Sequence, residues 1–187
     1  MQDENLRERL DARTSIYNGH VINLEKWDVT LPNGKPAMRE VAIHKGASAI
    51  VPVDDEGYVY LVRQFRTPLQ RVLTEVPAGK LDSAGEDHLV AAKRELHEET
   101  GFTAKKWTHL VDLATTPGFC TETISLYLAE GLTRGETDFD DDEFLDLVRM
   151  PLNEAVRTAL TGGFEDAKTI AALLLAAHAR KGEGAPC

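Results

Sequence analysis

Cysteine is scarce in this chain of 187 residues, and Cys120 and Cys187 are its two thiols. One pair of thiols cannot build a disulfide framework, so we expect a reducing compartment, the cytoplasm. No apolar run approaches the roughly 18 residues that a membrane span requires. The charged start, MQDENLRER, contains no apolar core of a signal peptide. The sequence therefore predicts a cytoplasmic protein without a membrane partner.

Basic charge is also in short supply. The chain has 21 Lys and Arg against 31 Asp and Glu, which gives a formal net charge of −10. A nucleic-acid partner is not expected, because phosphate backbones are bound by basic surfaces. An anionic small substrate would need bound metal ions or a local group of arginines to offset this acidic field.

Carboxylates are abundant and clustered in one segment. Glu95, Glu98 and Glu99 stand at i, i+3 and i+4, so on a helix they lie on one side within a single turn. Their mutual repulsion costs a helix a few tenths of a kcal/mol per pair, and a bound hard cation would compensate it. Carboxylates without neighbouring histidine or cysteine ligands suit Mg²⁺ or Mn²⁺. Ser83 to Glu86 resembles a capping box that begins this helix.

The order of predicted elements is α+β. Strands with turns at Asn18-Gly19 and Pro32-Asn33-Gly34 fill residues 12–43, and further strands precede the glutamate helix. More strands and two helices follow it, which favours helices packed on both faces of a mixed sheet. We expect an antiparallel strand module in residues 1–45, contributing to dimerisation and substrate contact, and a main domain in residues 46–182.

The glutamate segment resembles a known family signature. Gly79, Glu86 and the run RELHEETGF from Arg94 to Phe102 match the box of the Nudix hydrolases at every position from Glu86 onward. One departure is the spacing between Gly79 and Glu86, which is six residues where the pattern has five. The extra residue falls in the loop before the helix. The resemblance implies the Nudix α/β/α sandwich.

Other segments resemble the ADP-ribose pyrophosphatase subgroup of that family. They are GHVI from Gly19, LPNGK from Leu31, VRQFR from Val62, EVPAGKL from Glu75 and TPGF from Thr116. The resemblance implies a Mg²⁺-dependent pyrophosphohydrolase, with Mn²⁺ as an alternative ion. It would cleave ADP-ribose to AMP and ribose 5-phosphate through attack of a metal-activated water on the diphosphate. It also implies a homodimer formed through the N-terminal strands.

The resemblance assigns roles to individual residues. Glu95, Glu99 and the carbonyl of Ala78 would bind one ion, Glu98 a second ion, and Arg94 would orient the glutamates. Gly79, Glu86 and Gly101 would support the motif. Glu143, in the acidic loop 138–143, would be the general base, although a solvated acidic turn is the alternative. Residues expected to contact substrate are Arg39, Arg66, Tyr17, Pro117 and Gly118.

Two alternative functions stay open. The chain could hydrolyse another nucleoside diphosphate sugar, such as an ADP-hexose or GDP-hexose, because related enzymes share several of these segments. It could also be a non-hydrolytic module that senses ADP-ribose. A sensor would be expected to carry a degraded box, whereas the box residues of this chain are intact.

Overall fold

The fold is described from a computed structural model that covers residues 3–83, 85–135 and 145–182. These residues contain ten strands and three α-helices. The chain divides into two compact units. The first comprises the residues up to Gly46 together with Ala114–Glu122, and the second comprises Ala47–Leu113 and the chain from Thr123 onward. In the described ranges no helix is both long and apolar enough to cross a membrane.

The first unit is built on an antiparallel sheet with the order β1-β2-β3. Its strands are β1 (Arg9–Asn18), β2 (Asn23–Thr30) and β3 (Pro36–Ile43). The predicted turns join them: the Gly19 N–H donates to the Ile22 carbonyl, and Gly34 has a positive φ of 79°. Every residue of β1 is exposed. The segment Ala114–Glu122 belongs to this unit through a parallel bridge between Ala42 and Cys120, a long-range pairing for which the sequence contains no signal.

The second unit is built on a mixed sheet with the order β10-β5-β4-β9-β8, in which β6 also pairs with β5 and β7 with β4. The pairing of β4 with β9 is parallel, whereas β5 is antiparallel to both β4 and β10. The elements are β4 (Ala47–Val53), β5 (Tyr58–Arg66), β6 (Arg71–Glu75), β7 (Ala78–Lys80), α1 (His88–Thr100), β8 (Phe102–Ala114), β9 (Thr123–Arg134), β10 (Leu145–Pro151), α2 (Leu152–Leu160) and α3 (Ala167–Gly182).

Both faces of this sheet are covered by helices. All seven residues of β4 are buried, as expected for a central strand whose side chains alternate between two apolar layers. Val51 packs into the core that contains Ala155 of α2 and Leu173 of α3. Its neighbour Ile50 packs into the core that contains Leu96 of α1. The second unit is therefore an α/β/α sandwich, and the predicted fold class is confirmed.

Candidate active site

The helix that carries the clustered glutamates begins later than the sequence suggested. Asp87 is its N-cap, and the Asp87 carboxylate accepts hydrogen bonds from the backbone N–H groups of Leu89 and Val90. The predicted capping box at Ser83 to Glu86 is wrong, because the Glu86 carboxylate turns back and accepts from the N–H of Asp82 at 2.6 Å. A short acidic side chain directly before the helix is the better cap.

The helix is capped at its C-terminal end by Gly101, the last glycine of the motif. Gly101 lies in the left-handed region with a φ of 70°, and its N–H donates to the carbonyl of His97. A side chain at this position would be strained, so glycine is the natural residue after the last turn. The end of α1 is thereby fixed at Thr100, one residue after Glu99.

Two of the helix glutamates face the protein interior. Glu95 and Glu99 are 7% and 3% exposed, whereas Glu98 is half-buried. They lie beside the buried residues Ala92 and Leu96, which hold α1 against the sheet. Buried carboxylates are unfavourable unless they are compensated by partners or by a cation. The burial of Glu95 and Glu99 therefore indicates a functional role for these two carboxylates.

The segment between β6 and α1, which contains β7, is packed against both buried carboxylates. The N–H of Ala78 donates to Oε2 of Glu99 at 3.0 Å. A β-carbon on Gly79 would collide with the carboxyl group of Glu95, so glycine is required there by close approach. The Ala78–Lys80 strand is itself held by antiparallel pairing with β4. The structure thus brings together the motif residues Ala78, Gly79, Glu95 and Glu99.

Arg94 links the remaining motif residues. Its Nη1 donates to Oε1 of Glu95 at 2.6 Å and to Oε2 of Glu98 at 3.0 Å, and its Nη2 donates to the carbonyl of Lys80 at 3.0 Å. Its Nε lies 3.7 Å from Oε1 of Glu86. Burial opposes the charge of Arg94, but the carboxylates of Glu95 and Glu98 outweigh it and raise the pKa of Arg94 above its usual range.

The donor atoms at this site suit a hard divalent cation. In the described part of the chain, no three His, Cys, Asp or Glu side chains are grouped closely enough to hold a metal ion, and Glu95 and Glu98 point at Arg94. The fit rests instead on the chemistry of the donors: the two buried carboxylates, Glu95 and Glu99, lie against the segment that carries the backbone carbonyl of Ala78. Oxygen donors of this kind are those that Mg²⁺ and Mn²⁺ prefer.

The predicted substrate residues fall in both units. Arg66, at the end of β5, belongs to the second unit, and its guanidinium is bonded to Glu75. The other four belong to the first unit. There Arg39 pairs with Glu8 and with the Met38 carbonyl, and Tyr17 is 60% exposed. Pro117 and Gly118 lie in a turn closed by a bond from the Phe119 N–H to the Thr116 carbonyl. Glu143 lies outside the described residues.

A buried charge cluster behind Arg66 was missed at the level of sequence. Glu75 is 1% exposed, and its carboxylate binds both Arg66 and Lys168. Burial raises the pKa of Glu75, but the hydrogen bonds from Arg66 and the charge of Lys168 outweigh it and lower this pKa to about 2. The available signal was a charged residue, Glu75, inside the largely apolar segment VLTEV of residues 72–76.

Comparisons with known proteins identify relatives of this chain. A family model described as NUDIX domain matches residues 42–173. An ADP-ribose pyrophosphatase of Bacillus subtilis is 42% identical over 91% of this chain and 92% of its own length. A methanol dehydrogenase activator of Bacillus methanolicus is 42% identical over 84% of this chain and 86% of its own. The crystal structure of an ADP compounds hydrolase superposes with a TM-score of 0.83 at 26% identity, covering 96% of this chain and 97% of that one.

Proposed function

This chain belongs to the NUDIX family and is a hydrolase of diphosphate bonds, and we propose that it hydrolyses ADP-ribose to AMP and ribose 5-phosphate. The similarity to ADP-ribose pyrophosphatases supports a nucleoside diphosphate sugar as the substrate class. One observation carries the proposal. Glu95 and Glu99 are buried against Ala78 and Gly79 of β7, and Arg94 bridges Glu95 to Glu98. This arrangement supports the proposal that the box is hydrolytic.

We propose Mg²⁺ as the cofactor, with Mn²⁺ as a substitute; Nudix hydrolases generally use divalent metal ions. Glu95, Glu99 and the carbonyl of Ala78 would hold one ion, and Glu98 would hold a second. When bound, such ions neutralise the charge of a diphosphate and lower the pKa of a coordinated water. Arg94 carries one positive charge, whereas Glu95, Glu98 and Glu99 together carry three negative charges. A bound cation would therefore reduce the repulsion among these carboxylates.

The remaining residues of the proposed site act on the substrate. Arg66, whose Nε and Nη2 bind Glu75, would offer the N–H groups of Nη1 to a phosphate. Glu143 is the proposed general base, which accepts a proton from the attacking water while the bond from one phosphorus to the bridging oxygen breaks. Contacts to the rest of ADP-ribose are proposed for Arg39, Tyr17, Pro117 and Gly118. Glu86 and Gly101 support the helix, the first beside Arg94 and the second at its end.

We further propose a cytoplasmic homodimer that forms through the N-terminal strands. The strand β1 is an edge strand, exposed along its length, and Leu10, Ile16 and Tyr17 are among its exposed side chains. An exposed edge with apolar side chains favours pairing with another chain. Light scattering measures the assembly. A wild-type dimer that becomes a monomer after Ile16→Glu would support the proposal, and a wild-type protein that is itself a monomer would exclude it.

A panel of nucleotide sugars tests the reaction. Purified protein is given ADP-ribose, an ADP-hexose and a GDP-hexose with Mg²⁺ or with EDTA, and nucleoside monophosphate release is measured. We expect the highest kcat/KM for ADP-ribose and no release with EDTA. A higher kcat/KM for a hexose substrate would assign the alternative hydrolase activity. Tight ADP-ribose binding without AMP release would assign the sensor function instead.

A further inference from the structure

The first turn of α3 is connected to the candidate active site, although it contains no box residue. Asp166 directly precedes this turn, and its Oδ2 accepts from the backbone N–H of Thr169 at 2.9 Å and from Nζ of Lys168 at 3.0 Å. The hydroxyl of Thr169 also donates to this carboxylate. The N–H of Ile170 donates to the carbonyl of Asp166. These bonds fix Lys168 and Thr169 relative to the helix axis.

Lys168 and Arg66 share one buried carboxylate. Arg66 binds Glu75 in a two-bond fork, from Nε to Oε1 at 2.7 Å and from Nη2 to Oε2 at 2.8 Å. Nζ of Lys168 donates to the same Oε2. A carboxylate that accepts from both sides cannot rotate without breaking a charge-assisted bond. Lys168 therefore locks the plane of the Glu75 carboxylate, and through it the plane of the Arg66 guanidinium.

The locked guanidinium keeps donors for another partner. Of its three nitrogens, Nε and Nη2 are engaged by Glu75, while Nη1 makes no hydrogen bond to any residue that the structure describes. The charge of Glu99 on α1 also acts on Arg66 and contributes to raising its pKa, after the larger effect of the Glu75 bonds. Arg66 thus lies within the electrostatic reach of the glutamate helix.

The same turn of α3 also holds the backbone that leads to Ala78. The hydroxyl of Thr169 accepts from the N–H of Val76 at 2.9 Å. The next carbonyl, of Pro77, accepts from the N–H of Ile50 at 2.9 Å. Each residue from Glu75 to Ala78 therefore has a hydrogen-bond partner on another element. The partners on α3 are Lys168 for Glu75 and Thr169 for Val76.

We propose that Lys168 is a positioning residue of this hydrolase, which orients Arg66 for the substrate phosphate through their shared bond to Glu75. The inference rests on the proposed function, because Arg66 is taken there as a phosphate contact. Lys168 itself does not need to touch the substrate. A purely structural role differs in its consequence, since it would change stability without changing substrate affinity.

Substitution of Lys168 separates these two roles. Lys168→Met removes the charge and keeps the length, Lys168→Arg keeps the charge, and Arg180→Met is the control. Arg180 pairs with Glu130 at 3.0 Å near the other end of the same helix. We expect Lys168→Met to raise the KM for ADP-ribose about tenfold with kcat within about threefold of the wild type, because a misoriented donor weakens binding first. The KM of Lys168→Arg should lie closer to that of the wild type than to that of Lys168→Met, and Arg180→Met should leave KM unchanged.

A double-mutant cycle with Arg66→Ala gives the decisive comparison. If Lys168 acts through Arg66, adding Lys168→Met to Arg66→Ala raises KM by less than about twofold. The inference would be overturned if Lys168→Met raised KM by the same factor in Arg66→Ala as in the wild type. It would also be overturned if the KM of Lys168→Met equalled that of the wild type, whatever the thermal stability of the variant.

Failure of the proposed function is distinguished by a second readout. Where another nucleotide sugar is the preferred substrate, the cycle is measured with that sugar. ADP binding, measured by calorimetry on the same proteins, does not depend on turnover. There we expect Arg66→Ala and Lys168→Met to weaken ADP binding non-additively, and equal affinities in all variants would overturn the inference.

Discussion

The carboxylate of Glu95 occupies the space that a β-carbon on Gly79 would need. The first glycine of the motif and a glutamate 16 positions later are therefore complementary in shape. Glycine is required at this position by the buried carboxylate and not by an unusual φ, since Gly79 is absent from the positive-φ glycines of the described chain. The contact places β7 directly against a side chain of α1.

Replacing Gly79 with alanine should disturb both stability and catalysis. The added methyl group forces Glu95 or the turn to move, which should cost about 1–3 kcal/mol in the free energy of unfolding. We expect kcat/KM for ADP-ribose to fall at least about tenfold, because a displaced ligand misplaces the reacting groups. Urea unfolding and steady-state kinetics measure the two effects. Gly85→Ala is the control, since a β-carbon at Gly85 meets no atom within 4 Å; equal behaviour of the two variants would refute the steric argument.

Glu99→Gln should remove activity and leave the fold intact. The amide oxygen of glutamine can still accept the hydrogen bond that Glu99 receives from the Ala78 N–H, while the negative charge is lost. We expect kcat to fall about a hundredfold or more and the Mg²⁺ concentration for half-maximal activity to rise. Circular dichroism should match the wild type. Glu154→Gln on the exposed side of α2 is the control, and activity near wild type in Glu99→Gln would exclude a ligand role.

Arg94→Lys should impair activity although it keeps the charge. The guanidinium contacts Glu95, Glu98 and the Lys80 carbonyl at once, and an ammonium group cannot reproduce this planar geometry. We expect kcat/KM to fall about tenfold, as for the loss of a residue that orients ligands. The control is Arg149→Lys, which changes another arginine that bridges two carboxylates, Asp54 and Glu56. An equal loss of activity in both variants would show a general sensitivity to arginine replacement.

Glu75 should make folding stability depend on acid pH. Its pKa is lowered from 4.5 to about 2 in the folded protein, so its ionised form stabilises the fold by about 3 kcal/mol at neutral pH. This contribution is complete above about pH 5 and is lost as the pH falls through about 2. The stability gap between the wild type and Glu75→Gln should narrow by about 2 kcal/mol from pH 7 to pH 3.

Urea unfolding at the two pH values measures this gap. The gap for the exposed control Glu154→Gln should stay within about 0.5 kcal/mol. A gap for Glu75→Gln that is the same at pH 7 and pH 3 would show that Glu75 titrates normally in the folded protein.

Local patterns in the sequence predicted the helix and the grouping of Glu95, Glu98 and Glu99 on one side of it, because both depend on residues within a few positions. The start of the helix was misjudged by the same local reasoning, since Ser83 and Asp87 both qualify as caps. The structure decides for Asp87, whose carboxylate reaches two N–H groups.

Long-range contacts were beyond such reasoning. Glu75 and Lys168 are 93 positions apart, and no periodicity within β6 or α3 indicates that they meet. The attachment of Ala114–Glu122 to the first unit likewise depends on a contact between residues far apart in the sequence. Pairings of this kind are specified by the whole sheet topology, which a single sequence expresses only through its overall pattern of apolar residues.

The parallel pairing of β4 with β9 has a consequence for the order of folding. Ala47 pairs with Ile124 and Val53 with Glu130, so the centre of the sheet joins segments with β5, β6, β7, α1 and β8 between them. Closing so long a loop costs chain entropy before any burial repays it. A nascent chain that ends before β9 therefore lacks the parallel partner of β4, although the antiparallel partners β5 and β7 are present. We expect the second unit to acquire protection from hydrogen exchange in β4 and β9 together, late and in a single step.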